Sequence, residues 1–379
     1  MNGYLSCAQS KQNCILRLIR KMSECESPSD SPEAVNRFHE LVSDVISGVA
    51  KVRSLPGGKY GNHLRAEFIL PGRRKSGQLL VLGHSDTVWP LGTLAKMPVR
   101  EEGGRLWGPG VLDMKSGIAF FIFAMEVLRD MQVPVARKVV LQLNSDEEVG
   151  SPSSRPLTEA IARQSTAVLV LEPGTGLEGK LKTARKGVGD YTVTVRGRSA
   201  HAGVDFPAGA NAIVELARQV DRIAGFTRLE RGITVSPGVI SGGTRSNVIP
   251  DQASVHVDMR VARLRDAAPL DRKFRTLRPV DRRCRIEVEG GLNRPPLERG
   301  KGVVQLFRTA RKFAKDLGVI LEESSTGGGS DGNFTAGLGI PTLDGLGGVG
   351  EGAHAATESI LVDRAADRTA LLAMLVAGL

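Results

Sequence analysis

Apolar and polar positions alternate along the first part of the chain in a pattern that predicts strands followed by helices. Short apolar runs at residues 78–82, 138–143 and 167–171 favour β-strands, and residues 116–132 form an almost entirely apolar helical stretch. Continuous apolar strands that alternate with helices are typical of a partly parallel sheet with both faces covered. We therefore predict an α/β domain in which helices sandwich a mixed sheet.

A second pattern begins near residue 186. The segments GDYTVTVRGRSAHAG and SVHVDMRVAR alternate like half-exposed strands, NAIVELARQVDRIAG has a helical period, and CRIEVEGG adds a fourth element. Beyond residue 296 an amphipathic helix, a glycine-rich stretch and a terminal helix follow. We predict an α/β domain of residues 1–185 and 297–379, interrupted by a small α+β domain of residues 186–296.

Composition adds expectations about class and location. The chain has 379 residues, of which 41% are hydrophobic and 24% charged, as in ordinary globular proteins. No run approaches the roughly 18 apolar residues of a membrane span, and the first residues lack the pattern of a secretory signal. We expect a cytoplasmic protein with no membrane partner.

The net charge of +10 raises the question of a nucleic-acid partner. Residues 186–296 contain 19 Lys and Arg against 12 Asp and Glu, and so carry most of the excess. These cations are mostly single arginines with few aromatic residues between them, which is a poor nucleic-acid signature. We predict no nucleic-acid partner and leave open a solvated basic face or attraction of an acidic substrate.

Each of the three apolar runs ends in acidic or imidazole groups, in the segments VLGHSD, LQLNSDEE and LVLEPG. Ligand-binding groups gather at the carboxyl ends of strands in such sheets. His84 and Asp86 lie two residues apart and therefore leave the same face of a strand. The carboxylate of Asp86 could accept a ring proton from His84 and free the other nitrogen for a metal; a buried hydrogen-bonded pair is the alternative.

Five further residues are ambiguous when taken singly. Asp113 precedes the apolar helix and could be its N-cap. The acidic run that contains Glu147 and Glu148 could be a solvated turn, although adjacent carboxylates at a strand end repel one another unless cations intervene. Glu172 could pair with an arginine, and His354 lies in a glycine-rich loop where a histidine commonly has no special role.

As a set, these residues indicate a metal centre. Imidazole and carboxylate donors without a thiolate suit two Zn²⁺ ions, or Co²⁺ or Mn²⁺ as substitutes. Two ions that share a carboxylate can promote amide hydrolysis. If the segment stays extended, Glu147 points away from Glu148 and is available as a general base.

Eight motifs, in order, resemble the dizinc glutamate carboxypeptidase, aminoacylase and desuccinylase family of metallopeptidases, most closely its bacterial glutamate carboxypeptidases. The resemblance runs from about residue 16 to the C-terminus. The motifs are HSDTV, GPGVLDMKSG, SDEEVGS, LEPG, GRSAHAG, SNVIPD, TGGGSDGN and GEGAHAATE. The resemblance implies a zinc-peptidase-like catalytic domain with an inserted ferredoxin-like lid that also mediates dimerisation.

The resemblance also implies a role for each residue of the metal centre. His84 and Glu172 would bind one Zn²⁺ of each subunit, Glu148 and His354 the other, and Asp113 both. Asp86 would orient His84, and Glu147 would act as general base and then as proton donor to the leaving amine. The peptide bond after Asp113 is typically cis in such relatives.

In the lid, the resemblance assigns substrate contacts to His201, which would stabilise the oxyanion, and to Asn247. Arg260, Arg294 and Lys180 match cationic positions that hold a substrate carboxylate; surface or lid-sheet charges are the alternative. A homodimer through the lid is expected, and His201 could then act on the partner's site.

The leading hypothesis is a dizinc carboxypeptidase that releases C-terminal glutamate or a similar amino acid from peptides or N-acyl amino acids. The alternative within the same chemistry is an N-acyl-amino-acid deacylase of the acetylornithine or succinyl-diaminopimelate type. A binding protein without catalysis is disfavoured, because it has no need of Glu147 beside a complete ligand set.

Overall fold

The computed structural model describes residues 2–73 and 75–379. The chain divides into two compact units. Unit 1 comprises the residues up to Ala184 together with Arg299–Ser325 and Ser330–Leu379, and unit 2 comprises Arg185–Glu298 and Thr326–Gly329. Residues 326–329 thus group with unit 2, although the predicted insert ends at residue 296.

The helices are, in chain order, α1 (Gly3–Ser10), α2 (Gln12–Glu24), α3 (Pro32–Ile46), α4 (Ser116–Asp130), α5 (Arg155–Ala162), α6 (Ala212–Ala224), α7 (Ala267–Arg275), α8 (Lys301–Asp316), α9 (Gly332–Gly337) and α10 (Ala365–Gly378). Helices α6 and α7 belong to unit 2 and the others to unit 1. Within the described residues, no helix combines the length and apolar character that crossing a bilayer requires.

The strands are β1 (Ala50–Pro56), β2 (Asn62–Phe68), β3 (Gln78–His84), β4 (Arg100–Glu102), β5 (Arg105–Trp107), β6 (Lys138–Asn144), β7 (Ala167–Val170), β8 (Leu181–Arg185), β9 (Gly187–Arg196), β10 (Ala200–His201), β11 (Thr234–Gly242), β12 (Val248–Ile249), β13 (Gln252–Val261), β14 (Arg285–Arg294), β15 (Glu323–Thr326), β16 (Thr342–Leu343), β17 (Gly350–Glu351) and β18 (Ser359–Leu361).

The main sheet of unit 1 has the order β1-β2-β6-β3-β7-β16. Strands β6, β3, β7 and β16 run parallel, whereas β1 and β2 join antiparallel at one edge. Consecutive side chains of a strand point to opposite faces, and both sets are buried along β3, β6 and β7. Both faces of this mixed sheet are therefore covered, which confirms the predicted fold class.

Helix α4 packs closely against the sheet because small and apolar residues line it on nearly every side. A Cβ atom at Gly117 would lie 2.1 Å from the carbonyl oxygen of Leu171, so only glycine allows this approach. The contact sets the start of α4 beside the end of β7. The loop before α4 thus reaches the edge where the parallel strands end.

Unit 2 is a four-stranded antiparallel sheet of order β11-β13-β9-β14. Its chain order, β9-α6-β11-β13-α7-β14, is the ferredoxin-like arrangement, as predicted. The helices cover one face, where Tyr191 stacks on Phe274 with ring centroids 3.8 Å apart. The alternating pattern of β9 and β13 buries every second residue in this core.

Candidate metal centre

Three of the predicted ligands meet at the carboxyl edge of the main sheet. His84 ends β3, and Glu172 follows the parallel neighbour β7 by two residues. Nε2 of His84 lies 3.1 Å from Oδ1 of Asp113 and 3.5 Å from Oε1 of Glu172. The peptide bond between Asp113 and Met114 is cis, as the resemblance implies.

A second group shares Asp113. Nε2 of His354 lies 3.3 Å from Oδ2 of Asp113 and 3.3 Å from Oε2 of Glu148. Each oxygen of Asp113 therefore faces a different histidine, and in each group the potential ligand atoms lie within 4.8 Å of one another. The structure brings all five predicted ligands together. The N-cap position of α4 is Lys115, so Asp113 is not the N-cap of that helix.

The charges of the cluster fit a cationic ligand. Hydrogen bonds to Asp113 and Glu148 raise the pKa of His354 to about 10. Burial opposes ionisation of Asp113, but hydrogen bonds from both histidines hold its pKa well below the ordinary range. Among the described residues, the buried Oε1 of Glu148 has no hydrogen-bond partner. Divalent cations would take up these oxygen and imidazole donors.

Asp86 acts differently from the sequence-based expectation. Nδ1 of His84 lies 2.9 Å from the main-chain oxygen of Asp86 and 3.5 Å from its carboxylate. The carboxylate instead accepts the main-chain N–H groups of Glu147 at 3.2 Å and Glu148 at 3.1 Å, and the Ser29 hydroxyl at 2.7 Å. Asp86 therefore orients the imidazole mainly through its carbonyl and holds the acidic turn through its carboxylate.

The acidic segment is a helical turn, Glu147–Val149. The segment is therefore not extended, which was the condition for Glu147 to point away from Glu148; the N–H groups of both residues instead point at Asp86. Asp146 turns away from the cluster: its Oδ2 accepts the N–H and the hydroxyl of Ser153, each at 2.6 Å. Glu147 remains half-buried beside the predicted ligand Glu148.

Sequence reasoning missed Glu358, a fully buried acid four residues after His354. Its carboxylate accepts N–H groups from the loop that carries Asp113. A sequence signal was present, since the acid lies in the same glycine-rich motif as His354. Nothing in that local pattern indicates the distant amides that it binds.

Two buried histidines were also missed. Nε2 of His39 lies 2.8 Å from the hydroxyl oxygen of Ser85, next to His84 in sequence. Nδ1 of His63 accepts the N–H of Ser145 at 3.1 Å and contacts its hydroxyl oxygen at 2.9 Å. These histidines support the two strand ends from which His84 and the acidic turn emerge.

In unit 2, the structure places His201 next to Asn247. Strand β10 pairs with β12, and the N–H of Ala202 donates to the main-chain oxygen of Asn247 at 3.0 Å. Nδ1 of His201 accepts the N–H groups of Gly203 and Val204 at 3.2 and 3.1 Å. An accepting Nδ1 leaves the proton of the neutral ring on Nε2, so the exposed His201 presents a donor.

The predicted cationic residues occupy different settings. Arg260 pairs with both oxygens of Asp258 and donates to the carbonyl of Gly327 at 2.7 Å. Arg294 is 7% exposed. Arg185, which sequence reasoning missed, donates to the carbonyls of residues 328 and 329. Arginines thus surround the glycine-rich loop within unit 2.

Lys180 belongs to unit 1 and pairs with Glu322 at 2.7 Å. This ion pair raises the pKa of the Lys180 ammonium. The contact fits the alternative interpretation of Lys180 as a surface charge.

Comparison with known proteins agrees with both the fold and the arrangement of the site. The model of Peptidase family M20/M25/M40 matches residues 80–378. The chain therefore belongs to this family of metallopeptidases and amidohydrolases. The family match covers all five predicted ligands and the whole of unit 2.

Individual relatives align with most of this chain. Carboxypeptidase G2 of Pseudomonas sp. (strain RS-16) is 28% identical over 362 residues, covering 93% of this chain and 86% of that protein. Succinyl-diaminopimelate desuccinylase of Azoarcus sp. (strain BH72) is 31% identical over 312 residues, covering 77% and 80%. The crystal structure of aminopeptidase PepT from Bacillus cereus superposes with a TM-score of 0.80 at 21% identity, covering 97% and 98%.

Proposed function

We propose that the protein is an amide hydrolase with two Zn²⁺ ions per subunit, or Co²⁺ or Mn²⁺ in their place. The observation that carries this proposal is the position of Asp113, whose two oxygens face two separate groups of ligands. His84 and Glu172 would hold one ion with Asp113, and Glu148 and His354 the other. When bound, such a pair supplies a Lewis acid for the scissile carbonyl and favours deprotonation of water at neutral pH.

The residues around this pair supply the remaining chemistry. The carboxylate of Glu147 takes a proton from the attacking water and passes it to the leaving amine. Its main chain is fixed by Asp86, which keeps it beside Glu148. The Nε2–H of His201 donates to the carbonyl oxygen as negative charge develops there, and Asn247, which directly precedes β12, assists.

The substrate that we propose carries a C-terminal amino acid with a free carboxylate, glutamate or a similar residue. The arginines at the glycine-rich loop, Arg260 and Arg294, support this choice, because each places a permanent positive charge beside the loop. Similarity to carboxypeptidase G2 favours the same activity. Similarity to a desuccinylase keeps deacylation of N-acyl amino acids as the second candidate.

We propose a homodimer formed through unit 2. Strand β11 lies at an edge of its sheet and exposes Val239 and Ile240, which are 62% and 60% accessible. Helix α6 exposes Ile213 and Val214. An unpaired edge with apolar side chains is a surface that proteins generally cover, and a second copy of the same edge would cover it.

The decisive experiment compares Glu147→Gln with the parent chain after reconstitution with Zn²⁺. The variant keeps the ligands, so we expect unchanged Zn²⁺ content but a rate reduced by about 10²- to 10⁴-fold. Glu159→Gln, which changes a partly exposed glutamate on α5, is the matched control. Normal turnover by Glu147→Gln would refute the role of Glu147 as base.

The same protein, assayed against N-acyl-glutamates, N-acetylated amino acids and dipeptides, distinguishes the two candidate activities. The proposed carboxypeptidase prefers an acidic C-terminal residue whatever the acyl group. A preference set by the acyl group would favour the deacylase.

A further inference from the structure

Glu358 is a buried carboxylate with no role in the proposed reaction. Its side chain accepts four N–H groups, two on each oxygen. Oε1 accepts the main-chain N–H groups of Leu112 at 2.9 Å and Asp113 at 3.0 Å, and Oε2 accepts those of Gly110 at 2.9 Å and of the Trp89 indole at 2.8 Å. All of these donors except Trp89 belong to the loop that ends at Asp113.

The main chain of Glu358 ties the same loop to the turn that carries His354. Its N–H donates to the carbonyl of Ala355 at 2.9 Å, and its carbonyl accepts the N–H of Gly108 at 3.3 Å. The turn that carries His354 and the loop that carries Asp113 are therefore both hydrogen-bonded to Glu358. Asp113 and His354 extend from opposite sides of that junction and approach to 3.3 Å.

We infer that Glu358 is a positioning residue for the metal centre. It holds the Asp113 loop against the His354 turn, so that a carboxylate oxygen and an imidazole nitrogen face the same ion. The inference rests on the proposed function, because it concerns the ligands of that centre. Groups that hold ligands in place typically control metal affinity as well as ligand orientation.

The chemistry of the carboxylate explains why another residue would not serve. An ionised carboxylate only accepts hydrogen bonds, with room for two donors on each oxygen. Glutamine has the same shape, but its NH₂ group would face two N–H donors in a fully buried position. Two hydrogen bonds would be lost, and the loop would have to move away from the turn.

The test is Glu358→Gln, with Zn²⁺ binding measured by equilibrium dialysis of the full-length, metal-stripped protein. We expect Zn²⁺ affinity to fall by about 10- to 100-fold, with the ion of Glu148 and His354 dissociating first. The amides of Gly110, Leu112 and Asp113 should also exchange hydrogen faster in the metal-free variant, a result that requires no active enzyme.

Glu215→Gln is the matched control. Glu215 is equally buried but lies in unit 2, where it accepts the N–H groups of Val280 at 3.0 Å and Asp281 at 2.9 Å. Its replacement removes the same kind of bond away from the ligands. We expect Zn²⁺ stoichiometry and affinity to remain those of the parent chain.

Trp89→Phe keeps the test decisive should Glu358→Gln alone fail to fold. It removes one donor from Oε2 and leaves three N–H groups in place, so Zn²⁺ affinity should fall less than in Glu358→Gln. Combined with Glu358→Gln, it relieves one donor–donor conflict and should restore part of the lost affinity. Absence of any rescue in a folded double variant would contradict the inference.

The outcomes separate the two levels of the argument. A parent chain that binds none of Zn²⁺, Co²⁺ and Mn²⁺ overturns the proposed function and this inference together. A parent chain that binds two ions, with a folded Glu358→Gln variant that binds them as tightly, overturns the inference alone. Selective loss of one ion from Glu358→Gln supports both.

Discussion

The imidazole of His39 is buried behind the metal centre and should make unit 1 sensitive to acid. The Ser85 hydroxyl donates to the carbonyl of Asn144 at 2.9 Å, so Nε2 of His39 must donate to Ser85 and carry the proton. Among the described residues, Nδ1 of His39 has no hydrogen-bond partner. Burial, together with nearby His63, lowers the pKa of His39 to about 3, and Asp86 opposes this shift.

The sign and size of this acid sensitivity follow from the difference between the pKa of His39 in the folded chain and its pKa in the unfolded chain. The pKa of an exposed histidine is 6.5, so the unfolded chain binds more protons than the folded one at every pH between the two values. Stability is therefore full above about pH 6.5 and falls as the pH decreases toward about 3. Between about pH 7.5 and about pH 5, this one group should remove about 2 kcal/mol from the free energy of unfolding.

The variant that isolates this contribution is His39→Gln. Its amide can reproduce the Nε2 donor to Ser85 but cannot ionise. Both tryptophans of the chain, Trp89 and Trp107, lie in unit 1, so urea unfolding followed by their fluorescence reports on that unit. With a chelator present, the parent should lose about 2 kcal/mol more than the variant between the two pH values. Equal losses would refute the assignment of acid sensitivity to His39.

Two further predictions concern the carboxylate of Asp86 and the edge of unit 2. Asp86→Asn should weaken Zn²⁺ binding by about 10- to 100-fold in equilibrium dialysis. An amide cannot accept the N–H groups of both Glu147 and Glu148 as well as the Ser29 hydroxyl. Unchanged Zn²⁺ affinity would show that the turn keeps its conformation without the Asp86 carboxylate. Val239→Lys should convert a dimer to monomers in analytical ultracentrifugation, since it adds charge to an exposed apolar edge; a monomeric parent chain would remove the proposed dimer.

The proposed ligands at the strand ends could be recognised from sequence because a short-range pattern marks them. Each apolar strand stops at a polar residue, and parallel strands bring such residues to one edge. His84 and Glu172 follow directly from this rule. Asp113 and His354 lie in loops, and only the family resemblance assigned them to the same metal ions as particular residues at the strand ends.

The contacts of the supporting residues could not be predicted in this way. Glu358, Asp86 and His39 bind partners that are far away in sequence, and many of these partners are main-chain groups, which every residue possesses. Sequence patterns identify side chains, but they do not show which main-chain amides those side chains will contact in the fold. The same limit applies to the sheet, where the insertion of β6 between β2 and β3 depends on long-range register that periodicity does not encode.

Hydrogen-bond saturation separates the acids that hold the site from those that can bind a cation. Donors engage both oxygens of Asp86 and of Glu358, four of them on Glu358. Asp113 and Glu148 instead face histidines, and Glu148 keeps a buried oxygen for which the described residues supply no donor. An acid already saturated with N–H groups gains little from a cation, whereas an acid crowded among histidines and other acids needs one. The count of acids near a strand end therefore exceeds the number of proposed ligands, and we expect the distribution of main-chain amides to decide which acids can coordinate a cation.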